Sequence, residues 1–574
     1  MPAAPPSPPS TPLTPAQTRV RAALADAFLL LLVAASLLYT SRMFTFIDDE
    51  INILGPAAQP TRAFLASLGD LLRRHEHPPL YDLLIHGWLH LTGGAMAWLR
   101  VPSVVFFVAG LFCLSRAAQL LAGPQSATAL LWLGLLWPYG FHFGRLAAWY
   151  SFVFLLISAL TWAYLRHAAL LSADSAASGA ARVRAVVVYP GLRRAARRKT
   201  GAGCTCSPPI YWIGVCLLGL ALVYANYLGW ALLFLLAVDD WLRHRAQPGT
   251  VKRLLLTAAI FIVAYVPLWP AFWHELSVGT SFRQSWTYRL ANTAYSVYVL
   301  FVSESVAPWF WWLGVPAALA VAACLLLVFF GLRGPARRFL LFGAILVIAM
   351  AGAGILYPRR LFVIAPWFLL ATAAAIGAVE NRYWRSGMAL SLGLVAAVGG
   401  YGVSARRYYA APRFFEPWET VAQDAAGAVR DGAIVVGNNP SFFFYLTYAL
   451  QVPESGPRWR FSGILTEAVQ HPQVWEAGDW EAAGRPLRPI MFWVRGMPGP
   501  EEGTLIAAAG QWLDARCPGR NVRYLARDPS YLWKRQFAPE LNQLLWRVEV
   551  RQYDCAPDSP LPPAGATSPT PAIP

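Results

Sequence analysis

Three consecutive acids, Asp48, Asp49 and Glu50, follow an apolar stretch at residues 23–42. A stretch of that length crosses a bilayer, since about 20 residues at about 1.5 Å each cover some 30 Å of hydrocarbon. The acids therefore stand at the membrane surface. A carboxylate there can abstract a proton, hold a cation or simply be solvated, and like charges so close raise one pKa of the set. Downstream, His75, Glu76 and His77 open the run HEHPPLYDLL. Imidazole and carboxylate are common zinc or manganese ligands, so this trio could hold a metal with Asp49, although two His flanking one residue also suit a solvated turn. Arg359 and Arg360 lie at the outer end of two predicted spans, where basic residues are disfavoured, and so call for an anionic partner or for lipid head groups. Arg145 and Tyr150 sit at a similar mouth, in HFGRLAAWYS.

These residues need a scaffold, and composition defines it. With 57% hydrophobic and 13% charged residues over 574 positions, including 25 Trp, the chain is a polytopic α-helical membrane protein. The first apolar stretch is longer than a signal-peptide core and lacks a small-residue cleavage site after it, so it reads as a retained helix. The formal charge of +17 is concentrated in short loops between spans, which the positive-inside rule explains without nucleic acid as a partner. Further spans are predicted near 98–117, 126–143, 148–165, 209–224, 228–241, 253–272, 309–332, 339–356, 361–379 and 386–404, eleven with the first. The segment 166–208 holds eight Lys or Arg against one acid, Asp174, and is predicted to be cytoplasmic together with Arg243, Arg253, Arg337 and Arg338. The N-terminus is then inside, and odd parity puts the tail outside.

The same count puts the first loop, residues 43–97, outside, and its acids outnumber its arginines. Within it, 60–74 and 80–91 show apolar spacing of helical period and are too short to span, so both are expected to lie flat on the membrane. Pro78 and Pro79 suit the first turn of the second of these helices.

The acidic pair after the first helix, HPPLYDLLIHGWLHLTG, LRVPSVVFFVAG, GRLAAWYSFVFLL and YPRRLFVIAPWFLLATAAAIG occur in an order that resembles GT-C glycosyltransferases. The resemblance covers about residues 23–405 and is to the bacterial, protein-mannosyltransferase-like branch, which includes the lipid A aminoarabinose transferases and the Rgt-type glycuronosyltransferases. It implies inverting transfer of a sugar from a polyprenyl phosphate donor, at the outer face of the cell (inner) membrane, to a lipid, glycan or protein acceptor, with no cofactor; a divalent metal stays as the alternative. Asp49 matches the Asp of the family's acidic pair and is the expected general base, with Glu50 and the additional Asp48 beside it. Arg359 matches the family's arginine before a proline-containing span, Arg360 replaces a tyrosine, and both are expected on the donor phosphate. Ala148 stands where many members carry an arginine, so Arg145 is expected to supply that charge. His77, Tyr81 and Tyr150 are the expected substrate contacts.

The chain thus divides into a Pro-rich N-terminus (1–22), the transmembrane domain (23–405), an extracytoplasmic α/β domain (406–556) and a Pro-rich tail (557–574). In the α/β domain, 433–436, 489–494 and 544–550 read as strands, and the stretch 418–450 as helix, strand, NNP turn and helix. No glycine-rich nucleotide loop is present, so a nucleotide-sugar donor is not supported. Cys517 and Cys555 share this exported region and are expected to pair, whereas Cys113, Cys216 and Cys324 fall in apolar spans. A flippase or transporter would place ionisable groups near mid-bilayer rather than at one face. A non-catalytic scaffold would have no need of an acidic first loop.

Overall fold

The computed structural model describes residues 14–41, 48–74, 78–94, 98–177, 208–245, 249–279, 285–303, 311–332, 335–379, 381–404, 418–451, 471–496, 502–517, 519–527 and 546–555. Helix α1 (Pro15–Ser41) begins a bundle whose central pair is α5 (Val101–Ala122) and α8 (Tyr150–Ala177). These two pack with little between them: a Cβ on Gly110 would stand 2.5 Å from Cδ1 of Phe154. Small residues at such contacts let helices associate where lipid removes the hydrophobic drive.

All eleven predicted spans coincide with helices, but not every one is an uninterrupted span. Among the described residues four helices are long and apolar enough to cross a bilayer alone: Val20–Ser41, Val101–Ala122, Tyr150–Leu171 and Trp312–Gly331. A fifth is a bent pair, α11 (Thr250–Ala264) followed by the turn Val266–Leu268 and α12 (Trp269–Gly279), with a 53° break. Pro267 in that turn cannot donate a ladder hydrogen bond, which accounts for the break. The span expected at 126–143 is likewise divided at Trp137 into α6 (Pro124–Leu136) and α7 (Pro138–Phe143). Large apolar side chains such as Leu24, Phe28, Leu31, Leu319 and Phe330 are exposed along the bundle, as befits a surface solvated by lipid. The chain is an integral membrane protein.

One helix of the bundle was not foreseen in the sequence. α13 (Trp286–Val302) precedes α14 (Trp311–Gly331) and α15 (Pro335–Gly352), and it is largely buried despite Asn292 and Ser296. At the opposite end of the bundle from the acidic loop, two aspartates of α10 (Gly229–His244), the helix after α9 (Pro208–Val223), gather the bases expected on one side. Asp239 accepts from Tyr164 at 2.7 Å and Arg338 at 2.6 Å and is ion-paired with Arg243 at 2.7 Å, and Asp240 pairs with Arg253 at 2.5 Å and His244 at 2.9 Å.

The first loop folds as expected into α3 (Thr61–Arg74) and α4 (Leu80–Thr92), preceded by an unforeseen helix, α2 (Asp48–Ala57). After α16 (Ala365–Ala378) and α17 (Arg382–Ser404), the C-terminal region forms a five-stranded sheet in the order β2-β1-β3-β5-β4. Its strands are β1 (Ile434–Gly437), β2 (Val474–Glu476), β3 (Ile490–Gly496), β4 (Gly519–Arg527) and β5 (Trp546–Asp554); β1, β2 and β3 are parallel, and β5 is antiparallel to both neighbours. Alternation along β3 sends Phe492 and Val494 to the core shared with the bundle, and Met491 and Trp493 to a second core. On the bundle side lie α18 (Trp418–Arg430) and α19 (Pro440–Gln451), and α19 packs on α2. On the other side lie α20 (Ala477–Ala482) and α21 (Glu502–Arg516). Cys517 and Cys555 form the expected disulfide, closing 38 residues of chain.

Candidate active site

Asp49 lies in the first turn of α2, and three elements distant in sequence meet at its carboxylate. Oδ2 accepts the Tyr150 hydroxyl proton at 2.5 Å, from the first residue of α8. Oδ1 accepts from Arg359 Nη1 at 2.5 Å, on a 3-10 turn, Pro358–Val363. Tyr150 is buried, but the side chains of Asp49 and Arg359 are 22% and 48% exposed, so the pair opens to solvent.

The turn that carries Arg359 is fixed from below. Tyr139 donates to the Pro358 carbonyl at 2.5 Å, and Asn292 of α13 donates to the Leu356 carbonyl. Phe362 lies parallel to Trp137 at 5.9 Å and touches Phe143, Phe154 and Tyr150. Trp137 in turn donates to the Leu300 carbonyl at 2.6 Å. An aromatic ring locked in a packed cluster loses little further freedom, so the arginine is presented from a rigid base.

Glu50 faces the other way. It is fully buried and takes a two-pronged contact from Arg100, Nε to Oε1 at 2.8 Å and Nη2 to Oε2 at 2.7 Å. Oε1 also accepts the Ala147 amide at 2.7 Å, while Arg100 Nη1 reaches the Ser41 carbonyl at 2.7 Å. This one carboxylate ties α2 to the end of α1, the start of α5 and the loop before α8. Neighbours on a helix diverge by about 100°, so binding Glu50 inward aims Asp49 at Tyr150 and Arg359.

Two expected phosphate ligands are not brought to Asp49. Arg145 is 1% exposed; its Nη1 donates to the Thr40 carbonyl at 3.1 Å and its guanidinium lies 5.0 Å from the Phe141 ring centre. Buried there, it holds the last carbonyls of α1 together with Arg100, as a cation at a helix C-terminus does. Arg360 donates to the Ile355 carbonyl at 3.1 Å and points toward Glu275 rather than Asp49. Tyr150 is in place. Tyr81 is buried with its hydroxyl 3.4 Å from Ser103, and burial pushes its phenol well up. Asp48 is the first residue of α2, its side chain outside the described portion, as are His75, Glu76 and His77. Among the described residues no three His, Cys, Asp or Glu side chains converge as a metal site would require.

Other buried polar residues around α2 and α4 went unnoticed in the sequence. Arg100 carried a signal, a lone cation at the head of an apolar helix in LRVPS. Asp82 is buried in α4, and burial raises its carboxyl to about 7. His86 joins α4 to the α2–α3 corner through Nδ1 to the Ala57 carbonyl at 2.8 Å and Nε2 to Thr61 Oγ1 at 3.1 Å.

No family model and no curated protein sequence matches the chain. Among solved structures it is similar to ArnT from Cupriavidus metallidurans bound to undecaprenyl phosphate, at 15% identity over 92% of this chain and 97% of that one, with a TM-score of 0.45. Against the same protein in the apo state the identity is 17%, over 93% and 98%, with a TM-score of 0.39.

Proposed function

We propose that the chain is a membrane glycosyltransferase of GT-C type that moves a sugar from a polyprenyl phosphate donor to an extracytoplasmic lipid, glycan or protein acceptor, with inversion. The observation that carries this reading is Asp49 held between Arg359 and Tyr150 on the solvent-facing rim of an integral membrane protein. A lipid-linked sugar has its phosphate at the interface and its prenyl tail in hydrocarbon, so its enzyme needs a site open to both media.

The roles follow from the chemistry. The acceptor hydroxyl oxygen attacks the anomeric carbon, the bond from that carbon to the phosphate oxygen breaks, and polyprenyl phosphate leaves with the electron pair. Asp49 takes the hydroxyl proton. Arg359 meets the phosphate, whose negative charge grows as the bond breaks. Arg359 occupies Oδ1 of Asp49, so a phosphate that draws the guanidinium away also frees the base. Tyr150 keeps Oδ2 and hence the carboxylate's orientation. Glu50 and Arg100 hold α2 and do not react.

The test is incubation of the purified protein with a panel of polyprenyl phosphate sugars and envelope acceptors, read by mass spectrometry. Transfer lost in Asp49→Asn supports the reading, and transfer retained in variants of all three acids removes it. Orientation is checked separately by labelling a cysteine placed at Asp479 in intact cells, where reaction only after permeabilisation of the inner membrane would reverse the proposed topology.

A further inference from the structure

Between the end of α15 and the turn that carries Arg359 the backbone belongs to no helix or strand, yet its carbonyls are taken one after another. Gly354, at φ +71°, brings the chain out of α15, and the Ile355 amide closes back on the Met350 carbonyl at 3.0 Å. The Ile355 carbonyl accepts from Arg360 Nη1 at 3.1 Å, that of Leu356 from Asn292 Nδ2, that of Tyr357 from the Arg360 amide at 3.0 Å and that of Pro358 from Tyr139 at 2.5 Å. Behind them, the Gly352 carbonyl at the end of α15 accepts from Arg289 Nη1 at 2.5 Å. Two of these donors, Arg289 and Asn292, stand one turn apart on α13.

We propose that Arg289 and Asn292 are positioning residues: α13 is the strut that sets where Arg359 stands, and through it how tightly the donor phosphate is held. The inference rests on the transferase reading above, which gives Arg359 the phosphate.

A segment without a helical or strand ladder takes its place from the groups that bind its carbonyls. α13 is a firm base for such groups, since it packs on α7, α14, α15, α17 and the turn itself, and Asn292 is 2% exposed. Its two grips bracket the exit of the chain from α15. Arg289 puts a cation on the last carbonyl of that helix, where the macrodipole favours one, and Asn292 holds a carbonyl four residues on, three before Arg359. A guanidinium displaced by about 1 Å loses much of its hold on a bound anion, so the grips bear on the ligand although neither touches it. Arg360 belongs to the same framework, because its guanidinium lies 5.3 Å from the Tyr357 ring centre and its two bonds run back to residues 355 and 357.

Binding of undecaprenyl phosphate in detergent is measured for the full chain and for Asn292→Ala, Arg289→Ala and Arg289→Lys, each with Arg359 intact and in the Arg359→Ala background. With Arg359 intact, Asn292→Ala and Arg289→Ala should each weaken binding by about tenfold, while Arg289→Lys, which keeps a cationic donor, should bind like the parent. In the Arg359→Ala background neither alanine variant should cost more than about twofold, because the residue through which both act is gone. Equal losses in the two backgrounds overturn the strut and mark a general loss of stability instead, and parent affinity in both alanine variants overturns it as well. Where Asn292→Ala does not fold, the Arg289 series decides alone. Parent-like binding by Arg359→Ala removes the phosphate from Arg359 and the strut with it, whereas no binding by the parent removes the transferase reading itself.

Discussion

Asp49 and Arg359 lie 310 residues apart in sequence and 2.5 Å apart in space. The proposed proton removal and leaving-group stabilisation thus fall to two residues that pair with each other. Asp49→Asn keeps the size and loses the basicity, so turnover should fall by about 10² or more with donor binding retained. Arg359→Ala should weaken donor binding and turnover together. Steady-state kinetics on the active donor separates the two; near-normal turnover in folded Asp49→Asn would move the base elsewhere.

Glu50→Gln should behave differently from its neighbour. It leaves the buried Arg100 guanidinium without its counter-charge, a loss of about 3 to 5 kcal/mol for such pairs. Thermal unfolding in detergent should show a lowered Tm for Glu50→Gln and an almost unchanged one for Asp49→Asn. Equal melting temperatures would mean that the Glu50–Arg100 pair does not hold α2.

Asp82 gives the fold a pH dependence of known sign. Its carboxyl is raised from 3.8 to about 7 by burial, so the neutral acid is the form that the fold favours. The favourable contribution is complete below pH 3.8 and is lost as pH rises through about 7. Asp82→Asn, neutral throughout, should be more stable than the parent at pH 8.5 by an amount on the order of 4 kcal/mol, with the gap closing toward pH 4. Melting curves of parent and variant across that range check this; a constant gap would place the Asp82 carboxyl in solvent.

The disulfide predicts a redox dependence confined to the sheet. Cys517 and Cys555 close 38 residues, worth roughly 4 kcal/mol in the chain-entropy account. Under a strong reductant, or in Cys517→Ser with Cys555→Ser, the C-terminal region should become more protease-sensitive while α5 and α8 stay protected. Limited proteolysis with peptide mapping reads this, and an unchanged cleavage pattern would show the bridge to be dispensable.

Much of the scaffold was legible because apolar runs and amphipathic periods are local. The spans, α3, α4, three strands and the cysteine pair all show in short windows of sequence. The misses share a different cause. α13 escaped because Arg289, Asn292 and Ser296 interrupt its apolar pattern, and Asn292 earns its burial by binding Leu356, a partner far along the chain. Arg145 and Arg100 are both cations near the ends of apolar runs, and only folding shows that both grip the end of α1. Asp49 and Glu50 could be told apart physically only once they lay on a helix, where one is aimed outward and the other inward.

The seat of α19 on α2 has a consequence for biogenesis. Asp49 lies on α2, translated before the spans from α5 onward, yet one of the surfaces pressing on that helix comes from residues 440–451, made after them. A nascent chain halted before residues 440–451 has α2 without that contact. The proposed base is therefore seated only late in synthesis, and a polypeptide ended early lacks one of the surfaces that hold α2.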